Sequence, residues 1–389
     1  MIYVQVELAY RFYLVLRNFF MHPTQIEIDS QQFKFNLSAI RQQIGAQVKF
    51  CLPVKANSYG HGLLGIAKLA EAYVDYFGVA CLAEGALLRQ QGISKAILVF
   101  GAFDEEQNAG LIKNNLELTI SSCYKAELVA SYCQKHNQAC RIHLKVDTGM
   151  NRVGIRASSF LPLLEYVLAQ PSLELVGVYS HFAASDELEN DFTLQQIERF
   201  SQIVALVKAK KADVICHLAN SGGVCYYPES YFDMVRPGLL SYGYFPAQII
   251  TQAPLNQIRA ILSLVTRVSY FKVVAEGSGI SYNHRYTTGG VSRIITLPIG
   301  YGDGYRRGLS NLGEVIVRGH KYKIAGSICM DMLMVDLGAT GEAYVGDRVI
   351  LIGNQGMEEI LISQLALKLN SIIYEVLVGF NERIPRVII

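Results

Sequence analysis

The sequence lacks the local patterns that mark nucleic-acid binders and metal enzymes. No Lys/Arg cluster exceeds a few residues and the formal net charge is only +2, so the basic stripe of a phosphate-backbone binder is absent. No His-x-His or His-Glu-x-x-His spacing occurs among the eight histidines, which disfavours a metal enzyme. We therefore expect neither a nucleic-acid partner nor a bound metal.

Long apolar runs and paired cysteines are missing as well. Glu7, Arg11 and Arg17 interrupt the aromatic and aliphatic residues 1–23, so neither a signal peptide nor a membrane span fits. We interpret residues 1–23 as an N-terminal extension and hypothesise that translation starts at Met21, with an amphipathic surface segment as the alternative. None of the eight cysteines forms a Cys-x-x-Cys pair, and we expect reduced thiols in a cytoplasmic protein without a membrane partner.

What is present is the composition of an ordinary globular protein, 51% hydrophobic and 17% charged over 389 residues. A chain of this length usually forms more than one core, so two domains are expected. After Pro254, alternating strand patterns and Gly-rich turns predict a mainly antiparallel β domain, followed by a helix over Ile360–Phe380. The predicted limits are 1–23 for the extension, 24–253 for a first domain and 254–389 for the β domain.

In the first domain, eight short apolar runs alternate with longer segments of helical period. The runs look buried rather than alternating, as parallel strands covered on both faces do. Eight strand–helix units predict an α/β fold with a closed (β/α)₈ TIM-type barrel, and a doubly wound sheet is the alternative. The runs are VKFCLPVK (48–55), YFGVACL (76–82), AILVFG (96–101), LELTI (116–120), RIHLKVD (141–147), LELVGVYSH (173–181), DVICHL (213–218) and DMVRPGLL (233–240).

Barrel enzymes carry their reactive groups where the strands end at the carboxyl side. The first run ends in Lys55, which is either a solvated lysine or an amine of lowered pKa that can form a Schiff base. Lys145 lies near the end of the fifth run and Arg152 follows the run, as a salt-bridged rim or as a site for an acidic substrate. His181 ends the sixth run and is equally compatible with a structural and a catalytic role.

The loops after the last two runs are the usual phosphate site of such barrels. Ser221, Gly222 and Gly223 offer a hydroxyl donor and a backbone that a ligand can approach closely, although an ordinary Gly-rich turn has the same composition. Arg236 follows in the eighth run. A lysine suited to a Schiff base together with a phosphate site in these loops indicates pyridoxal phosphate as the cofactor.

From about Thr24 to the C-terminus, the chain resembles the alanine racemase family, with its motifs in the same order. The resemblance implies a pyridoxal-phosphate-dependent racemase that interconverts L-alanine and D-alanine and supplies D-alanine for peptidoglycan synthesis. The alternatives are a role in D-alanine breakdown, a racemase of another small amino acid such as serine, and a cofactor-homeostasis protein that resembles the barrel half only. The motifs are PVKANSYGHG (53–62), KVDTGMNRVG (145–154), YSHFA (179–183), HLANSGG (217–223), MVRPGLLSYG (234–243), ISYNHRYTT (280–288), LPIGYGDGY (297–305) and SICMDM (327–332).

The resemblance implies two bases on opposite faces of the substrate. Lys55 would hold the cofactor and act on the D-enantiomer, and Tyr282 would act on the L-enantiomer. His181 and Arg236 would tune the tyrosine, and Arg236 would face the pyridine nitrogen, where a barrel-type decarboxylase carries a carboxylate. The implied cofactor contacts are Lys55, Tyr59, His181, Asn220, Ser221, Arg236, Gly238 and Tyr374.

By the same resemblance, Arg152 and the Met330 backbone N–H would bind the substrate carboxylate, and Lys145 would be carbamylated and orient Arg152. Family members form head-to-tail homodimers with composite active sites, so Tyr282 and the Cys-Met-Asp segment with Asp331 would come from the second chain. Tyr301 and Arg307 would line the access corridor.

Two positions depart from the family pattern. Glu382 stands where some members have a tyrosine that narrows the site, which leaves pocket size and substrate breadth open. Asn151 stands where a glycine is more usual.

Overall fold

A computed structural model describes residues 23–247, residue 250 and residues 252–389. The predicted extension lies outside the described residues apart from Pro23, and so does the hypothetical start at Met21. The chain divides into two compact units. Asp29–Ile261 forms one unit, and the described residues before Asp29 form the other together with Leu262–Ile389.

The first unit is a closed ring of eight parallel strands. The ring closes because the fourth strand pairs with the fifth and the eighth pairs with the first, each in parallel register. This confirms the predicted TIM-type barrel and excludes the open doubly wound sheet. The strands are Lys49–Pro53, Tyr76–Val79, Ala96–Val99, Glu117–Ile120, Cys140–Asp147, Leu173–Tyr179, Ile215–His217 and Met234–Val235, and Ile155–Arg156 pairs beside the fifth.

Helices alternate with these strands. The first begins after Asp29, whose carboxylate accepts the backbone N–H of Gln32 at 2.8 Å and so satisfies one of the amides that a helix start leaves open. Its Phe33, Leu37 and Ile40 are fully buried at helical spacing. The helices of this unit are Ser30–Ile44, Leu63–Ala70, Leu82–Gln90, Asn108–Lys113, Cys123–Lys135, Phe160–Leu168, Phe192–Lys210 and Ser221–Tyr226, and Lys55–Tyr59 is a left-handed turn.

The second unit is built on antiparallel strands, as predicted. The exception is Gln25–Ile28, which pairs in parallel with Arg386–Ile388 and antiparallel with Leu262–Arg267. Gln25–Ile28 is therefore a strand of this sheet and not of the barrel. The predicted domain limits, 24–253 and 254–389, remain a prediction. The other strands are Tyr270–Val274, Gly279–Ile280, Tyr286–Thr287, Ser292–Leu297, Glu314–Val317, His320–Lys323, Leu333–Asp336, Arg348–Gln355 and Glu358–Ile360.

The single helix predicted over Ile360–Phe380 is wrong. Two short helices, Ile362–Lys368 and Ile373–Gly379, occupy the segment. Asn370 between them has φ = +50°, a left-handed conformation that ends a helix. In the described part of the chain no helix has both the length and the apolar character needed to cross a bilayer, and none of the eight cysteines forms a disulfide.

Candidate active site

Lys55 begins a left-handed turn at the carboxyl end of the first barrel strand. The four residues that follow it, from Ala56 to Tyr59, have φ between +52° and +55°. L-residues disfavour this conformation by about 1–2 kcal/mol each, and strain of this kind collects at functional sites. The turn therefore fixes the direction in which the chain leaves the strand at Lys55.

Glu84 holds this turn in place. Its two carboxylate oxygens accept the backbone N–H groups of Ala56 and Ala80, each at 2.7 Å. Glu84 thus ties the residue after Lys55 to the end of the neighbouring second strand. Its charge also raises the pKa of Lys55, against the larger lowering effect of burial and of Arg152.

Four cations share the carboxyl end of the barrel. Burial, followed by the charges of Arg236 and Arg152, lowers the pKa of Lys145 well below its usual value. Burial and Arg152 lower the pKa of Lys55 as well. A lowered amine pKa increases the neutral, nucleophilic fraction at physiological pH. The predicted residues Lys55, Lys145, Arg152 and Arg236 are therefore brought together, and their proximity helps to lower the pKa of both lysines.

Arg236 is buried and held by several acceptors. Its guanidinium donates to the Ser180 carbonyl at 2.6 Å and the Leu218 carbonyl at 3.0 Å. It also contacts Nδ1 of His217 at 2.6 Å and Nδ1 of His181 at 3.5 Å. Burial lowers the pKa of Arg236 to about 10, which leaves it protonated at neutral pH.

Tyr179 is a site residue that the sequence reasoning passed over. Its ring stacks on His217 with centroids 4.8 Å apart and planes at 5°. The Lys145 Nζ lies 4.1 Å from the ring centroid, and the Tyr179 hydroxyl hydrogen-bonds with Thr119 at 2.7 Å. Its place at the end of the sixth strand, two residues before His181, was the available signal.

The loop after the fifth strand carries Arg152 at the surface. Asp147 accepts the backbone N–H groups of Gly149 at 2.8 Å and Asn151 at 3.1 Å, which folds the loop back on the strand end. Asn151 has φ = +56°. Glycine favours this left-handed region and asparagine is among the side chains that tolerate it best. The replacement of a usual glycine by Asn151 therefore has a conformational explanation.

The loops after the seventh and eighth strands form a close-packed cradle. Asn220 caps the helix Ser221–Tyr226 by accepting the Gly223 N–H at 3.0 Å, and Ser185 donates to the same oxygen at 2.9 Å. A side chain at Gly222 would overlap Ser185. A residue larger than glycine at position 222 would therefore displace Ser185.

Gly238 and Tyr59 complete this cradle from the eighth and first strands. A Cβ at Gly238 would overlap the Tyr59 hydroxyl, so the glycine makes room for that phenol. Ser221 Oγ accepts the Leu240 N–H at 3.1 Å, which joins the two loops. Hydroxyls and backbone amides brought together in this way suit a phosphate group.

In the second unit, Tyr282 projects from a strained loop. Ser281, Asn283 and His284 around it all have positive φ, from +42° to +65°. Ser281 donates to the Ser327 carbonyl at 2.6 Å, which fixes the loop to the SICMDM segment. Tyr282 is 68% exposed, so its own unit leaves the phenol available.

Two further loops of this unit hold the remaining predicted residues. The Gly302 N–H donates to the Met330 carbonyl at 2.8 Å and the Tyr301 N–H to the Cys329 carbonyl at 3.0 Å. Arg383 donates to Asp331 at 2.8 Å.

Arg307 begins the short turn Arg307–Leu309. The hydroxyl of Ser310, which follows this turn, accepts the Ile328 N–H at 3.0 Å. Tyr374 is exposed in the helix Ile373–Gly379, and Glu382 is exposed in the loop after it. The predicted residues thus form a barrel group and a second-unit group.

Comparisons with known proteins cover both units. The family described as "Alanine racemase, N-terminal domain" matches residues 28–246, and "Alanine racemase, C-terminal domain" matches residues 261–388. The alanine racemase of Halothermothrix orenii is 37% identical over 368 residues, which are 94% of this chain and 96% of that protein. The alanine racemase of Carboxydothermus hydrogenoformans is 37% identical over 94% of this chain and its own full length.

Solved structures agree with these matches. The alanine racemase of Clostridium difficile 630 superposes with a TM-score of 0.89 at 33% identity and covers 95% of this chain and 96% of its own. The alanine racemase from Bacillus anthracis with bound L-Ala-P gives a TM-score of 0.87 at 33% identity, with 95% and 96% coverage.

Proposed function

Because this chain belongs to the alanine racemase family, whose members are pyridoxal-phosphate-dependent isomerases, we propose that it interconverts L-alanine and D-alanine with Lys55 and Tyr282 as its two bases. Both domains of the family match, whereas a cofactor-carrying protein would match the barrel half only. The observation that carries the proposal is the position of Lys55 at the barrel's carboxyl end, on a turn held by Glu84, beside a phosphate cradle in the expected loops.

The barrel residues fit pyridoxal phosphate. The Ser221 hydroxyl, the Tyr59 phenol and the backbone at Gly238 meet in one cradle, and Lys55 supplies an amine for covalent attachment. When bound, the cofactor withdraws electrons from the substrate and makes its α-hydrogen acidic. We assign the cofactor contacts to Lys55, Tyr59, His181, Asn220, Ser221, Arg236, Gly238 and Tyr374.

Each base moves one proton. When D-alanine reacts, the Lys55 amine takes the α-proton and the Tyr282 hydroxyl gives a proton to the opposite face. When L-alanine reacts, the Tyr282 oxygen takes the proton and the protonated Lys55 gives one back. Arg152 and the Met330 N–H hold the substrate carboxylate. Arg236 keeps its charge because a guanidinium does not give up its proton, so it positions the ring without protonating the pyridine nitrogen.

Lys145 is proposed to carry a carbamate. A neutral buried amine can attack carbon dioxide, which forms an N–C bond and releases one proton. The resulting anion would offset the positive charges of Arg152, Arg236 and Lys55 and would orient Arg152. Intact-mass and peptide spectra of protein kept in bicarbonate should show Lys145 heavier by one carbon dioxide, and a bare amine under those conditions would contradict this assignment.

We further propose a head-to-tail homodimer in which Tyr282, Met330 and Asp331 serve the barrel of a second copy, with Tyr301 and Arg307 along the access path. The exposure of Tyr282 and Met330, 68% and 54%, supports a role for them beyond their own unit. Eight cysteines without a disulfide support a reducing compartment such as the cytoplasm.

Racemisation is tested directly with purified protein, pyridoxal phosphate and L-alanine, with L-serine assayed in parallel. We expect D-alanine to form, and we expect Lys55→Ala to abolish both D-alanine formation and the visible absorbance of the bound cofactor. Cofactor binding without alanine racemisation would contradict the proposed substrate. Absence of any cofactor absorbance in the wild type would contradict the proposed function as a whole.

A further inference from the structure

A row of polar side chains crosses the interior of the barrel from its carboxyl end to its amino end. Arg236 contacts His217 Nδ1 at 2.6 Å, and His217 Nε2 lies 3.0 Å from Nδ1 of His143. His143 Nε2 lies 2.7 Å from Glu117 Oε2. Glu117 Oε1 then pairs at 2.7 Å with Arg141, which reaches the surface. His217, His143 and Glu117 are almost wholly buried.

The two ends of this row fix the direction of every hydrogen bond in it. The Arg236 guanidinium can only donate and the Glu117 carboxylate can only accept. His217 must therefore accept at Nδ1 and donate from Nε2, and His143 must do the same. Each imidazole carries a single proton, on Nε2. Burial and the charge of Arg236 lower the pKa of His217 well below its usual value, which agrees with a neutral ring.

The backbone of the fifth and sixth strands leaves space for the His143 side chain of this row. The pairing register between the fifth and sixth strands shifts at Ile142 and His143, and the shift sets Gly177 opposite His143. A Cβ at Gly177 would overlap the His143 ring. A shift in strand register can redirect a side chain, and a glycine lets a neighbouring group approach the backbone closely. Both features favour the position of His143 in this row.

The ordinary filling of such a barrel is apolar. Buried ionic and imidazole groups are tolerated only when each finds its partner, and here each does. Tyr179 adds a stacking surface for His217, with its hydroxyl anchored to Thr119. The row ends at Arg236, at the carboxyl end of the barrel beside Lys55 and Lys145.

We propose that Glu117, His143 and His217 form a positioning chain that holds the Arg236 guanidinium in a single orientation and links its charge to a carboxylate at the far end of the barrel. The consequence for catalysis rests on the proposed function, in which Arg236 faces the cofactor ring. The positions of the protons on His143 and His217 do not depend on the proposed function. The proton arrangement and the proposed function can therefore be contradicted separately.

The proton arrangement is tested first, in the cofactor-free protein labelled with ¹⁵N-histidine. We expect NMR to show two buried imidazoles protonated at Nε2, with downfield N–H resonances. Glu117→Gln, which keeps the shape and removes the charge, should move the His143 N–H resonance upfield and the His217 resonance by less. Glu174→Gln is the matched control, because Glu174 lies 3.6 Å from the same Arg141 but is exposed and outside the chain. Nδ1 protonation of the His143 or His217 ring, or resonances of these two rings that Glu117→Gln leaves in place, would overturn the proposal.

The positioning role is tested in the holoenzyme with Glu117→Gln and Gly177→Ala. Both should lower kcat about 10-fold with little change in KM, as expected when a hydrogen bond to a charged group is weakened. Both should also shift the visible absorbance of the bound cofactor, which a merely structural role would leave unchanged. If Gly177→Ala does not fold, the isosteric Glu117→Gln decides alone.

Wild-type kinetics and spectra in a folded Glu117→Gln would overturn the positioning role. Failure of the wild type to racemise alanine would count against the proposed function instead, and the NMR result would still decide the chain.

Discussion

Asn151 occupies a backbone position that few side chains accept. Its φ of +56° lies in the left-handed region, where a β-branched side chain is most strained and glycine is unstrained. We expect Asn151→Val to lower the free energy of unfolding by about 1–2 kcal/mol, and Asn151→Gly to change it by less than about 0.5 kcal/mol. Urea unfolding of the cofactor-free protein measures both. Equal free energies of unfolding for the two variants would contradict this conformational explanation of Asn151.

Two neutral histidines make stability depend on pH in a defined direction. Burial first, followed by nearby cations, holds the pKa values of His181 and His217 well below 6.5, while in the unfolded chain they titrate near about 6.5. Below that pH the unfolded state binds protons that the folded state does not. The free energy of unfolding should therefore fall as pH falls from 7 to 5, by up to about 1.4 kcal/mol per pH unit for each histidine.

Urea titrations of the cofactor-free protein at several pH values measure this slope. His181→Asn should lose the contribution of that ring and show a shallower slope over the same range. A stability that stays flat between pH 7 and 5, or a slope that His181→Asn leaves unchanged, would show that the rings are charged in the folded state.

At the scale of the element, the left-handed turn after Lys55 depends on Glu84. The carboxylate accepts two backbone N–H groups at 2.7 Å, and a hydrogen bond to a charged group contributes about 1.5–3 kcal/mol. Because Glu84 is partly exposed, we expect Glu84→Ala to lower the free energy of unfolding by about 2 kcal/mol in total and to weaken cofactor binding.

The exposed Glu198, on the outer helix Phe192–Lys210, supplies a matched control. Glu198→Ala should leave both stability and cofactor affinity unchanged. Loss of stability in Glu84→Ala without loss of cofactor affinity would show that the turn supports the fold but not the position of Lys55.

The barrel strands were predictable from sequence because fully buried parallel strands read as uninterrupted apolar runs. The left-handed turn was not, since Ala56, Ser58 and Tyr59 have no local preference for positive φ and the turn depends on Glu84 from another element. Glu117 and His143 were missed for a related reason. Each lies inside a run that otherwise reads as apolar, and only the folded barrel shows that they meet.

At the scale of the whole molecule, the chain supplies its two proposed bases from different units. Lys55 belongs to the barrel unit and Tyr282 to the second unit. The motifs around both residues were recognisable in the sequence, so both could be named as candidate bases. No local sequence pattern shows whether Lys55 acts with Tyr282 of its own chain or with Tyr282 of a second copy, because that depends on how the chains assemble.

A heterodimer of two single variants tests most directly whether Lys55 and Tyr282 act together across two chains. One chain carries Lys55→Ala and the other Tyr282→Phe, with different affinity tags that allow the mixed dimer to be isolated and confirmed by native mass spectrometry. Each variant alone should racemise alanine poorly. The mixed dimer has one composite site with both bases intact, so it should recover about half of the wild-type rate. A confirmed mixed dimer no more active than its parents would contradict the composite site.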